Sequence, residues 1–161
     1  MPRLIKDGAL ADNQWQLLQD ASADIPAGQV IIPLDLWLAQ RDQLSARSDI
    51  GVWLESDQVA EQLGADAAKL PLIAINFPTF MDGRGFSTGR LLRERFGFTG
   101  ELRAIGNYMR DQLFYLKRCG FNAFDCNEDM DAEAALASLS DFSESYQAAV
   151  DQPIPLYRRR A

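Results

Sequence analysis

The sequence predicts an α/β fold in which about five strand–helix units build a mostly parallel sheet, preceded by an N-terminal hairpin or edge strand. Two observations carry this prediction and a third limits it. Short apolar, β-branched runs recur along the chain, and each is followed by a stretch with helical spacing, the alternation expected of parallel strands joined by right-handed crossovers. The chain has 161 residues, whereas a closed eight-stranded βα barrel usually needs about 250. An open, doubly wound sheet and an incomplete βα barrel both fit. Either one gathers ligands at the carboxyl ends of its strands.

The elements follow in order. Arg3 to Lys6 and Trp15 to Leu18 flank Asp7-Gly8, a turn pair that suits a hairpin or an edge strand. Val30 to Leu34 reads as a short buried strand, with Leu34, Leu38 and Leu44 marking a helix after it. Ile50 to Leu54 is a second strand, followed by a helix from about Ser56 with Val59, Ala60 and Leu63 on one face and Gly64 near its end. Leu72 to Phe77 (LIAINF) is the clearest buried strand, and Gly85 to Phe96 its helix. Glu101 to Ile105 makes a fourth strand. Asn107 then reads as the N-cap of a helix carrying Met109, Leu113 and Leu116, which Gly120 stops. Phe121 to Phe124 is a fifth strand and Asp131 to Leu139 an alanine-rich helix. The stretch Phe142 to Tyr146 fits a last strand or a longer helix equally, and Pro153 to Arg160 reads as an extended tail. The expected organisation is one domain over residues 1–150 and a tail over 151–161.

With 47% hydrophobic and 24% charged residues the composition is that of a folded domain. The apolar run from Leu70 to Phe80 is broken by Pro71, Asn76, Pro78 and Thr79, short of the ~20 residues a membrane-spanning helix needs. Met1 to Gly8 has no apolar signal core, so a cytoplasmic location is expected. There is no histidine, which excludes Ser-His-Asp and Cys-His catalysis and the usual transition-metal ligand set. The two cysteines, Cys119 and Cys126, are spaced unlike a CxxC pair and are too few for a four-cysteine cluster, and both read as buried structural residues. Redox chemistry would therefore place its electrons on a partner or on a bound organic cofactor. Trp15, Trp37, Trp53, Phe114 and Phe121 read as core aromatics and not as a flavin platform. No GxGxxG or GxxxxGK[ST] string occurs.

The net charge of −7 argues against nucleic acid as a partner. Its distribution is uneven. From Arg84 to Arg118 eight basic residues meet three acidic ones, a local +5 that leaves −12 for the remainder. Such an island focuses a small anion or docks an acidic surface; solvated helix faces are the plain alternative.

The stretch Asn76 to Arg90 carries the most chemistry. It follows the clearest strand and opens a helix. Gly83 and Gly85 let the main chain approach a ligand, and Ser87 suits a cap or an oxyanion contact. Arg84 and Arg90 near a helix N-terminus oppose its dipole by roughly 0.3–1 kcal/mol each, a sign that a bound anion reverses. A site for phosphate, sulfate, sulfite or carboxylate is one reading; a tight connection with Asp82 paired to Arg84 or Arg90 is the other. Arg103, on the next strand, would complete a three-armed clamp, with Asn107 at the following helix start and Asp111 orienting an arginine. Alternatively Arg103 pairs with Glu101 or Asp111. Asp82 and Asp111 are the candidate acid/base residues if the protein is a small enzyme on a phosphorylated or sulfated substrate.

The run from Phe77 to Asp125, with the opening RLIKDG and the VIIPLDLWL segment, resembles a small bacterial family of unknown function whose members are described as probable oxidoreductases of sulfite reduction. The strings Asp82 to Gly85, Gly100 to Ala104 and Arg118 to Phe121 carry the likeness, which spans nearly the whole chain. The family pattern often has Gly-Asp at Gly106-Asn107 and Ala at Gly89. The resemblance implies a place in sulfur metabolism beside the haemoprotein subunit of sulfite reductase, whose gene commonly neighbours the family's own. The expected function is thus an accessory, oxidoreductase-associated factor that binds an oxyanion at the Asp-Gly-Arg-Gly loop, the reductase itself, or both. The cofactor, if any, is unspecified. A purely structural docking factor is the third reading, and a homodimer would cover open sheet edges.

Overall fold

The computed structural model describes residues 3–20, 24–79, 83–126 and 130–140. Within them eight strands form one sheet: β1 Leu4–Lys6, β2 Ala9–Ala11, β3 Gln16–Leu17, β4 Val30–Pro33, β5 Ile50–Leu54, β6 Leu72–Phe77, β7 Glu101–Gly106 and β8 Ala123–Asp125. Four helices accompany them: α1 Leu34–Leu44, α2 Arg84–Glu94, α3 Leu113–Arg118 and α4 Ala132–Ser140. The order across the sheet is β2-β1-β8-β7-β6-β5-β4-β3. Strands β3 to β8 are parallel and lie side by side in chain order, and β1 is antiparallel to β8. A doubly wound sheet reverses its strand order at a switch point; no reversal occurs here. The incomplete barrel is therefore the architecture adopted, with more strands than five βα units supply.

Chain length explains the curl. β2 and β3 occupy opposite edges, yet only residues 12–15 join them. An extended link from Ala11 to Gln16 spans at most about 18 Å, whereas seven strand spacings of ~4.8 Å would set the edges of a flat sheet ~34 Å apart. The sheet must bend until its edges approach, giving a half-barrel. The register sharpens the constraint: Ala11 aligns with Leu4 and so with Asp125, at the end of β8, while Gln16 aligns with Val30, at the beginning of β4. Residues 12–15 thus form a strap that crosses the concave face diagonally.

The two faces differ in content. On the convex face Val30, Ile32, Val52, Ile73, Ile75, Phe77, Leu102 and Phe124 pack against Trp37, Leu92, Leu113, Leu116 and Ala135 of the helices in one core. The concave face holds a smaller cluster of Ile31, Leu72, Ala74 and Ile105, with Trp15 of the strap and Trp53 packed on it. Strands buried on both faces read as continuous apolar runs, which is why β4, β5 and β6 are plain in the sequence.

Several expectations need correction. After β5 the chain makes two 3-10 turns, Ala60–Gln62 and Gly64–Lys69, in place of a helix from Ser56. Val59 is extended and 49% exposed, and Gly64 adopts a positive φ of 55°, so the spacing of Val59, Ala60 and Leu63 does not propagate. The N-terminal hairpin exists, but β1 pairs with β2 around Asp7-Gly8, both at positive φ, whereas the Trp15 to Leu18 stretch supplies β3 at the far edge. Asn107 caps no helix: Met109 precedes a 3-10 turn at Arg110–Gln112, and α3 begins only at Leu113, leaving Met109 43% exposed. The stretch Phe142 to Tyr146 and the tail fall outside the described residues. Among the described residues no helix is long and apolar enough to cross a membrane.

Candidate functional site

The carboxyl ends of β5, β6 and β7 converge at one end of the half-barrel, and the chain leaving β6 begins α2 beside them. Gly83 is the N-cap of α2 and offers no side-chain cap. Arg84, the first helical residue, reaches back over β5: its Nη2 donates to Ser56 Oγ at 3.2 Å, and Ser56 is buried. The connections after β5 and after β6 are thereby tied together. Gly85 is needed for packing, since a Cβ there would lie 2.6 Å from the ring of Phe77 and 2.9 Å from Ile75. Ser87, in the middle of the first two turns of α2, is exposed and caps nothing. Gly89 has the same character as Gly85; a Cβ there would meet the ring of Phe121 at 2.5 Å. Asp82 lies outside the described residues.

The three arginines do not converge. Arg84 stands at the start of α2 on the convex side, and Arg90, half-buried two turns on, pairs with Glu94 at 3.6 Å. Arg103 is 1% exposed on the concave face. Its Nε and Nη2 donate to Glu101 Oε2 at 2.7 and 2.6 Å, and its Nη1 donates to Asn13 Oδ1 of the strap at 2.9 Å. The alternative of an Arg103–Glu101 pair, two residues apart on one face of a strand, is the one adopted. The clamp is not formed, because strand alternation sends Arg103 to the face opposite the helices. Lys6 joins from β1 at 3.2 Å from Glu101. The pair binds the strap to the middle of the sheet.

Asn107 closes the rim differently from a cap: its Nδ2 donates to Pro78 O at 3.0 Å, while its backbone N–H donates to Phe77 O at 2.7 Å. Asp111 is exposed and borders a depression of about 220 Å³ with Arg110, Phe114 and Ser138, separate from the strand ends. The basic island is partly structural as well. Arg93, which the sequence leaves unremarkable, donates to Gly120 O, Phe98 O and Gly100 O at 2.9 to 3.0 Å and stacks over Phe98.

On the concave side of the same end lies a pocket of about 310 Å³ lined by Leu17, Gln19, Trp53, Glu55, Asn76 and Ile105. Asn76 Nδ2 donates to Glu55 Oε1 at 2.6 Å. Gly106, at φ +95°, lets the Asn76 amide lie against the main chain; a Cβ there would strike Asn76 Oδ1 and come within 2.6 Å of Phe77 O. Trp53 Nε1 donates to Leu18 O at 2.9 Å, which fixes the indole against the end of β3. The sequence reading left Glu55 unmarked and took Trp53 for a core aromatic, whereas it is half-buried on the pocket wall. The available signal was Asn76, a polar residue interrupting LIAINF at an inward position of the final strand turn, together with a carboxylate immediately after β5.

Both thiols are buried. Burial raises the Cys119 pKa, against the lowering effect of Arg90, and burial with the neighbouring Asp125 pushes Cys126 up to about 11. Both are protonated near neutrality and unsuited to thiolate chemistry, in agreement with a structural role. Asp125 is itself raised by burial, and Tyr108, whose hydroxyl donates to Asp125 O at 2.6 Å, is raised well above its ordinary value by burial. No group of three or more metal-ligating side chains occurs among the described residues.

A family model for a bacterial protein of unknown function (DUF934) matches residues 51–157. No curated protein and no solved structure matches the chain.

Proposed function

Since the chain belongs to that bacterial family of unknown function, we propose that it is an accessory factor of assimilatory sulfite reduction, which holds a small oxyanion at the start of α2 and meets the sulfite reductase at the same rim. One observation carries the reading. Arg84, the first residue of a helix that has no side-chain cap, is held across the ends of β5 and β6 by its bond to Ser56. A guanidinium and a helix N-terminus at the carboxyl ends of parallel strands favour an anion, since each lowers its energy and the anion offsets the clash of Arg84 with the helix dipole. The sulfur context comes from the resemblance of the Asp82 to Gly85 and Arg118 to Phe121 strings.

Arg103 is committed to Glu101 and Asn13 on the other face of the sheet and Arg90 pairs with Glu94, so the proposed site is smaller than a three-armed clamp. The test is a salt-matched thermal-shift titration with sulfite, sulfate, phosphate and adenylylated sulfate, run on the protein and on Arg84→Ala. A ligand at ~100 times its Kd adds about 2.7 kcal/mol and raises Tm by roughly 5–10 °C. Stabilisation by one of these anions that disappears in the variant supports the reading. Equal stabilisation in both proteins, or none, overturns the anion site and leaves salt-sensitive capture of sulfite reductase as the test of the partner.

A further inference from the structure

The concave pocket has chemistry that the anion site does not use. Its wall carries a half-buried carboxylate, Glu55, beside an indole, Trp53, with Ile105 and Leu17 supplying apolar surface. Glu55 accepts from Asn76 Nδ2, and among the described residues no lysine or arginine lies within ion-pair distance of it. Glu101, deeper on the same face, makes the contrast: it is held by Arg103 and by Lys6. A carboxylate in a cavity wall with one amide donor keeps acceptor capacity for a cationic donor, and a charge-assisted contact is stronger than a neutral one. The indole works in the same direction. Its N–H is committed to Leu18 O, so it presents no donor of its own, and its π surface attracts positive charge. The volume of about 310 Å³ is at the lower end for a small-molecule site, and its place at the strand ends is where βα folds bind ligands.

We propose that this pocket binds a small organic cation, a primary ammonium on an apolar or aromatic body, with the charge on Glu55 beside Trp53 and the body against Ile105 and Leu17. The inference stands apart from the anion site at α2 and survives its failure. It also gives the edge strand β3 a purpose beyond completing the sheet, since Leu17 and Gln19 complete the pocket and Leu18 orients the indole.

The test is calorimetric titration of the full chain with benzylammonium, benzyl alcohol and benzoate at constant ionic strength, with tryptophan fluorescence in parallel. Benzylammonium is expected to saturate a single site and to bind at least about tenfold tighter than benzyl alcohol, the range of one charge-assisted contact; benzoate is expected not to bind. Glu55→Gln keeps an acceptor for Asn76 Nδ2 and is expected to keep its thermal midpoint while losing about tenfold in ammonium affinity. Leu17→Trp, at a site 37% exposed, fills the pocket while leaving the Glu55 carboxylate in the sequence and is expected to abolish binding. Equal affinity for benzylammonium and benzyl alcohol, undiminished ammonium binding in either variant, or no saturation in the millimolar range overturns the proposal.

Discussion

Replacing Arg103 by methionine removes a guanidinium that is 1% exposed and takes from Glu101 its shortest contacts. Breaking a buried pair from one side typically costs 3–5 kcal/mol because the remaining charge is left uncompensated. Lys6 stays within 3.2 Å of Glu101, but its side chain is 46% exposed and compensates only in part. The Asn13 contact that pins the strap is also lost. A cost of about 3 kcal/mol follows, and for a chain of this size each kcal/mol lowers Tm by roughly 2–4 °C, so a drop of about 6–12 °C is expected by calorimetry. The second arm is Arg103→Met with Glu101→Leu, which replaces the pair by apolar groups and is expected to recover most of the loss. Anion affinity at α2, measured while the variant is folded, is expected to be unchanged. A drop below ~2 °C, or a double variant as unstable as the two single variants combined, would refute the assignment of Arg103 to the strap.

Three further outcomes follow from the packing. Gly106→Ala forces a Cβ against Asn76 and Phe77 at a φ of +95° and is expected to cost at least about 2 kcal/mol in urea unfolding; a loss under ~0.5 kcal/mol would show that the rim is not tight. Cys119 and Cys126 are expected to resist a thiol reagent at pH 8 until the protein is unfolded. Because their pKa values are raised in the fold, the stabilisation from the protonated thiols is full below the unfolded value of 9.0 and declines as pH rises toward about 11, a slope that Cys126→Ala should flatten. Trp53→Phe removes the donor to Leu18 O, worth about 1 kcal/mol, and should speed amide exchange at Gln16 and Leu18, which bond to Gln29 O and Ile31 O, about fivefold; equal exchange would mean that β3 is held without it.

What the sequence revealed depended on how local the cause was. Ile50–Leu54 and Leu72–Phe77 are bounded to the residue because strands covered on both faces show as unbroken apolar runs. Gly120, at φ +106°, ends α3 for a reason visible in a few residues. The curl was not visible, because it arises from a short link between opposite edges, and β3 is only two residues long. The start of α2 at Arg84 was legible to within one residue, because two glycines close the connection that follows the clearest strand. Arg103 was ambiguous for a physical reason: the i, i+2 spacing to Glu101 pairs them only if strand β7 turns that face inward, and the inward face exists only once the barrel has curved. Glu55 was missed and Trp53 taken for core because the pocket depends on Leu17 and Gln19, contributed from far along the chain.

The pairing of β1 with β8 joins residues some 120 positions apart, with Cys126 N–H bonding Arg3 O at 2.8 Å. On a ribosome, β1 must therefore wait for β8, holding one edge unpaired while β4 to β7 zip together in chain order. The portion matched by the family model begins at Gly51, inside β5, so the strap, the hairpin and β4 that shelter its ion pair and complete its pocket come from the preceding fifty residues. A fragment cut at that boundary would expose Arg103 and Glu101 to water and leave a bare parallel edge at β5, making it a template for aggregation instead of a miniature of the whole.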